Sequence, residues 1–231
     1  MTAALLFDVD GTLTDSAGAG KTALRPAMLE VFGQTGPIQT FDFHGKTDPE
    51  IVRGLLTAAG WKDTDVDEGL ENLWPVYLER LAHALDELGD RAMPLAGVLD
   101  LLDHLSQDER FVCGLVTGNL EEGARLKLTA AGCADRFAFG GFGSDAELRA
   151  DLPPLALARA AIQFGRTFPA KEAVVIGDTP RDIMCARASG ARVLAVATGR
   201  HSLAELSVHR PDTVMPDLTN LEHVMEFLSG D

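Results

Sequence analysis

The sequence is short of thiols, of long apolar runs and of positive charge, and each shortage excludes something. Cys113, Cys133 and Cys185 are its three cysteines. Three is an odd number, no two form a C-x-x-C pair, and each sits in an apolar or helical context. They read as small core residues, which fits a reducing compartment. No stretch approaches the roughly 20 apolar residues that cross a bilayer. Asp8 and Asp10 fall where the apolar region of a signal peptide would lie, so a soluble, cytoplasmic protein is expected. Against 35 acidic residues stand 20 basic ones, a formal net charge of −15. Such a surface repels nucleic acid and anionic lipid and argues against both as partners. A metal and a few cations can still dominate one pocket and serve a small anionic ligand. No internal repeat or low-complexity linker is present.

What is there is globular material, 46% hydrophobic and 24% charged over 231 residues. Between about Ser16 and Arg91 the spacing is helical throughout. Lys21–Phe32 carries Leu24, Met28, Leu29 and Phe32 on one stripe. Asp48 before Pro49 reads as an N-cap with proline at the first helical position. Ile51, Val52, Leu55, Leu56 and Ala59 then form a face that Gly60 closes, and a third helix is expected from about Glu68 to Leu88. After Pro94 short apolar strands (111–116, 137–142, 173–176 and 193–196) alternate with helices, which predicts a parallel sheet with right-handed crossovers. The fold class is therefore α/β with an inserted helical unit at about residues 17–91. Ligands of such sheets bind beyond the carboxyl ends of the strands, where this chain places its polar residues.

The first strand end, ALLFDVDGTLTD at residues 4–15, organises the rest. Asp8 and Asp10 begin on the same face of an extended chain. Two carboxylates that close repel by roughly 4 kcal/mol at an effective dielectric near 20. A divalent cation relieves this, and hard oxygen ligands suit Mg²⁺. A carboxylate held there can attack phosphorus and form an aspartyl-phosphate. The string resembles the first motif of the haloacid dehalogenase superfamily, D-x-D-G-T-[LV]-x-[DS].

That resemblance implies the superfamily's Rossmann-like three-layer core, at residues 1–16 and 92–231, with residues 17–91 as a helical cap. It makes Asp8 the nucleophile and Asp10 the general acid and base. VTGN resembles the second motif, with Thr117, Gly118 and Asn119 binding the transferring phosphoryl group; an ordinary Asn N-cap is the bland alternative. VVIGDTPRD (174–182) resembles the fourth motif. It implies that Asp8, Asp10 and Asp178 hold Mg²⁺, with Asp182 in support directly or through water, although Asp178 could equally cap the helix at Pro180.

The third motif departs from the pattern. No K-P-x-P occurs, and sliding it over LRADLPPLALARA puts Arg149 in the lysine's place, with Lys127 as fallback and a surface arginine as the alternative. HGKTDPEI (44–51) is similar to the cap of phosphoglycolate-phosphatase-like members, so His44, Lys46 and Arg53 are candidates for the substrate's far end, or solvated charges. The resemblance thus implies a phosphatase acting on a small phosphorylated metabolite; the sequence leaves the oligomeric state open, a monomer being one option. A β-phosphoglucomutase-like mutase carries a histidine where this chain has Gly20, which makes mutase the second reading. A non-catalytic binding module would have lost Asp8, Asp10 or Asp178.

Overall fold

The computed structural model describes residues 3–230 (for Asp90, the backbone alone). In chain order the elements are β1 (Ala3–Phe7), β2 (Thr14–Asp15), α1 (Ala19–Phe32), α2 (Asp48–Ala58), α3 (Asp63–Leu88), β3 (Met93–Pro94) and α4 (Val98–Leu105). There follow β4 (Phe111–Thr117), α5 (Glu121–Ala130), β5 (Gly140–Phe142), α6 (Leu152–Phe164), β6 (Val174–Gly177) and α7 (Pro180–Ser189). The chain ends with β7 (Arg192–Val196), α8 (Leu203–Val208), β8 (Thr213–Met215) and α9 (Leu221–Ser229).

Six strands form one parallel sheet in the order β5-β4-β1-β6-β7-β8. Its strands read as unbroken apolar runs because both faces are covered. Leu5, Phe7, Val174, Ile176, Leu194 and Val196 face α4, α5 and α9. Ala4, Leu6, Val175, Val193 and Ala195 face α6, α7 and α8. The result is the expected α/β/α sandwich. The chain leaves β1 for β4 and β5 on one side, then returns to β6 on the other. The order reverses beside β1, and a crevice opens at its carboxyl end.

Helices α1, α2 and α3 bury a third cluster of their own, including Met28, Leu55, Leu56, Leu73 and Leu81, with Leu120 of the sheet-bearing part inserted among them. The chain crosses between the two parts at β2 and β3. These pair antiparallel, Thr14 with Pro94 and Asp15 with Met93. Thr14 Oγ1 also donates to the Met93 carbonyl at 2.9 Å.

Three local expectations are corrected. Helix α3 begins at Asp63, not Glu68. The 137–142 strand shrinks to Gly140–Phe142, because a 3₁₀ turn at Ala134–Arg136 precedes it and the rings of Phe137 and Phe139 pack into opposite layers instead. The N-cap of α2 is Thr47, whose hydroxyl accepts the Glu50 N–H, and Asp48 is the first helical residue. No helix among the described residues is long and apolar enough to cross a membrane.

Candidate active site

Asp8 follows β1, Thr117 ends β4 and Asp178 follows β6. Since β4 and β6 flank β1, three strands deliver three polar side chains to one crevice. A cavity of about 540 Å³ opens there between the sheet and the three helices. Asp8, Asp10, Thr117, Gly118, Asn119, Arg149 and Asp178 all line it, and so do His44, Lys46 and Lys127.

Asp8, Asp178 and Asp182 are buried, with one oxygen of each within 4.8 Å of the others. At that separation each pair repels by about 3 kcal/mol at an effective dielectric near 20. Burial, together with the charges of Asp182 and Asp8, pushes the Asp178 carboxyl up to about 8. Burial also pushes Asp8 up to about 6, against the pull of Arg149. Arg149 supplies part of the compensation. Its Nη2 lies 2.8 Å from Asp8 Oδ1 and 2.5 Å from Asp182 Oδ1, and the side chain is buried. Asp182 is fully engaged, for its other oxygen accepts the N–H and the hydroxyl of Thr179 in a capping box at the start of α7. Asp178 is not that cap. Its carboxylate accepts a long hydrogen bond from Thr12, at 3.4 Å, and feels the pull of its own backbone N–H. Gly11 explains how it fits: a Cβ there would stand 2.5 Å from Asp178 Oδ2, on a backbone with φ of 82°. A buried, under-neutralised set of hard oxygen donors is chemistry that suits Mg²⁺.

Asp10 has a separate set of partners. Lys127 Nζ donates to its Oδ2 at 2.6 Å, Asn119 Nδ2 to the same oxygen at 2.8 Å, and Ser16 Oγ to Oδ1 at 2.9 Å. Burial pulls this carboxyl up, but Lys127 and these hydrogen bonds outweigh it and hold it below the ordinary carboxylate range. The amide of Asn119 also donates to Thr117 Oγ1 and its Oδ1 accepts from Lys127, so Asn119 is no helix cap. The N-cap of α5 is Leu120.

The sequence ranks Lys127 behind Arg149 because only Arg149 precedes the helix at Pro153 as the family lysine does. In the structure both cations occupy the site and divide it, Arg149 on Asp8 and Lys127 on Asp10. Helical side chains lean toward the N-terminus, and a lysine stem is long enough to exploit that. Of the three helical-unit candidates, Lys46 is paired with Glu50 at 2.6 Å and His44 with Asp42 at 2.7 Å. Arg53 is outside the described cavity lining, with its guanidinium spent on Glu147 and Asp67.

Sequence reasoning missed Ser16, Asp48 and the loop Thr198–Gly199–Arg200. The loop follows β7 and lines the cavity, and Thr198 Oγ1 donates to the Gly11 carbonyl at 2.6 Å. Its signal was present, since TGR follows an apolar strand as TGN does. Asp48 lines the cavity too; its backbone N–H donates to the Gly118 carbonyl at 2.7 Å and its Oδ2 accepts the Leu120 N–H at 2.9 Å. Burial pushes its carboxyl up to about 6, against Lys127 and that N–H.

A parallel sheet with carboxylates and cations gathered in the crevice at its switch strand is the arrangement of an α/β enzyme. The chain belongs to the haloacid dehalogenase-like hydrolase family, whose sequence model matches residues 5–196. It is 34% identical over 200 residues to a phosphoglycolate phosphatase of Xylella fastidiosa, covering 86% of this chain and 81% of that one. It is 35% identical over 198 residues to the phosphoglycolate phosphatase of Xanthomonas campestris, covering 85% and 83%. Among solved structures, a β-phosphoglucomutase from Clostridium difficile superposes with a TM-score of 0.74 at 17% identity, over 100% of this chain and 98% of that one. A hydrolase from Pseudomonas syringae gives 0.70 at 22%, over 99% of each. At such identities these structures speak to the fold.

Proposed function

We propose that the protein is a Mg²⁺-dependent phosphomonoesterase that hydrolyses a small phosphorylated metabolite through an aspartyl-phosphate on Asp8. The reading rests on one juxtaposition: a nucleophile-grade carboxylate, Asp8, clamped by Arg149, lines the same cavity as a second carboxylate, Asp10, with partners of its own. Residues 17–91 are read as a cap over a core of 1–16 and 92–231, in keeping with their separate hydrophobic clusters.

Asp8 attacks phosphorus while the ester P–O bond breaks, and the small protonated fraction of Asp10 gives its proton to the departing oxygen. Water then attacks the phosphoryl group, losing a proton to Asp10, and the bond to Asp8 breaks to release inorganic phosphate. Thr117, Asn119 and the backbone at Gly118 bind the phosphoryl oxygens. Asp8, Asp178 and the Asp10 carbonyl would hold Mg²⁺, with Asp182 behind them; the ion supplies positive charge against the transferring group. The relatives' names make phosphoglycolate the first substrate to test. Nothing favours the mutase reading here, because Gly20 carries no acid or base and a Cβ there would face Tyr77 and Lys127.

The test is phosphate release from a panel of phosphomonoesters with Mg²⁺ and with EDTA, for the wild-type protein and Asp8→Asn. Activity confined to wild type with Mg²⁺ is expected. Turnover that persists in EDTA, or in Asp8→Asn, overturns the assignment.

A further inference from the structure

We propose that Asp48 is a positioning residue for Asp10, acting from the helical unit by splinting the loop that carries Asn119. The proposal rests on the reading of Asp10 as the acid and base. Asp48 grips this loop on both sides of Asn119. Its backbone N–H donates to the carbonyl of Gly118 at 2.7 Å, and its carboxylate accepts the N–H of Leu120 at 2.9 Å. Between these two bonds sits the residue whose amide donates to Asp10 Oδ2 and whose oxygen takes Lys127.

The loop needs this help. Helix α5 starts at once after it, and its N-cap, Leu120, has no side chain that can accept a hydrogen bond. The first amides of a helix have no partner within it. Ser144 serves the Glu121 N–H at 3.2 Å, and Asp48 serves that of Leu120, so a residue of the helical unit satisfies an amide at the start of a helix of the sheet-bearing part. Lys127 rides on that same helix. Asp48 therefore orders two of the three donors to Asp10, and it can do so only while the two parts are docked. The docking is tight at this point, since a Cβ on Gly118 would lie 2.0 Å from the Lys46 carbonyl oxygen. The acid and base is thus fully oriented only while the two parts are docked.

Hydrogen exchange and steady-state kinetics on the full-length protein, for wild type, Asp48→Ala and Asp48→Asn, test this. Asp48→Ala keeps the backbone bond and loses the carboxylate acceptor; Asp48→Asn keeps an acceptor oxygen. In Asp48→Ala, exchange of the Leu120 amide should rise about five- to tenfold, as for a lost helix cap. Its kcat should fall roughly tenfold because the acid and base is misaligned, with a smaller rise in KM because Asn119 also meets the phosphoryl group. Asp48→Asn should recover most of both losses. Unchanged exchange at Leu120 in Asp48→Ala overturns the proposal, as does an Asp48→Asn protein no better than Asp48→Ala. If wild type hydrolyses no phosphomonoester, the functional reading fails, and the exchange arm still decides whether Asp48 splints the loop.

Discussion

Replacing Lys127 with methionine removes one charge from the site at nearly constant volume. Lys127 is 5% exposed, whereas the Asp10 side chain is 42% exposed toward the cavity. Breaking a fully buried pair costs roughly 3–5 kcal/mol and breaking an exposed one about 0–1. A pair buried at one end and solvated at the other should fall between, at about 2 kcal/mol. For a chain of this size that is roughly 4–8 °C in Tm. The sign with pH follows from the direction of the shift. Asp10 titrates below its ordinary value when folded, so the pair stabilises the protein above about pH 4, the unfolded carboxylate range, and is lost as pH falls through the folded value. The Tm gap between wild type and Lys127→Met should therefore be full at pH 7 and shrink below about pH 4. With Lys127 gone, burial acts on Asp10 less opposed and its carboxyl rises. The acidic limb of the kcat profile should then move to higher pH, and kcat at neutral pH should drop by about 10² or more. The assays are thermal denaturation across pH and phosphate release across pH. A variant whose Tm at pH 7 stays within about 1 °C and whose kcat stays within about threefold would refute the division of cations described above.

Arg149→Ala strips the cation from Asp8 and Asp182, so turnover in the phosphate-release assay should fall by about 10²–10³; Arg149→Lys should restore part of it, one ammonium replacing a fork. Saturating Mg²⁺, at about 100 times its Kd, should stabilise the wild type by about 2.7 kcal/mol; Asp178→Asn should abolish that shift in a thermal melt, and a shift that survives would remove Asp178 from the metal site. Gly118→Ala should weaken kcat/KM about tenfold or more and lower the Tm as well, because the new Cβ would lie 2.0 Å from the Lys46 carbonyl oxygen and push the two parts apart; wild-type kinetics would mean that catalysis does not need this seating.

Much of this was legible in the sequence wherever a strand, a turn and a charge follow one another locally. Asp8, Thr117 and Asp178 end apolar runs, and a parallel sheet brings such ends together whatever lies between them. What stayed hidden depends on contacts between distant segments. Lys127 stands only as the fallback cation because its spacing does not reveal that α5 leans its stem toward Asp10 and Asn119. Asp48 was read as a cap because Asp-Pro is a good cap signal, but Thr47 holds that position and frees Asp48 to reach Leu120. Strand β8 is three residues long and ends at Met215 just before a proline, in a stretch that also holds Arg210, Pro211 and Asp212. It pairs at the sheet edge because β7 offers free backbone groups, which no local propensity records.

The ladder between β2 and β3 has a consequence for how the sequence can change. The excursion from Asp15 to Met93 begins and ends on residues already paired to each other. Joining the ends of a segment costs entropy that grows only with the logarithm of its length, and here the core itself fixes those ends side by side. Helices can therefore be added to, removed from or exchanged in that excursion at almost constant cost to the sheet. The excursion is in this way free to change in size, provided that it keeps Asp48, through which it reaches the loop beside the strand ends.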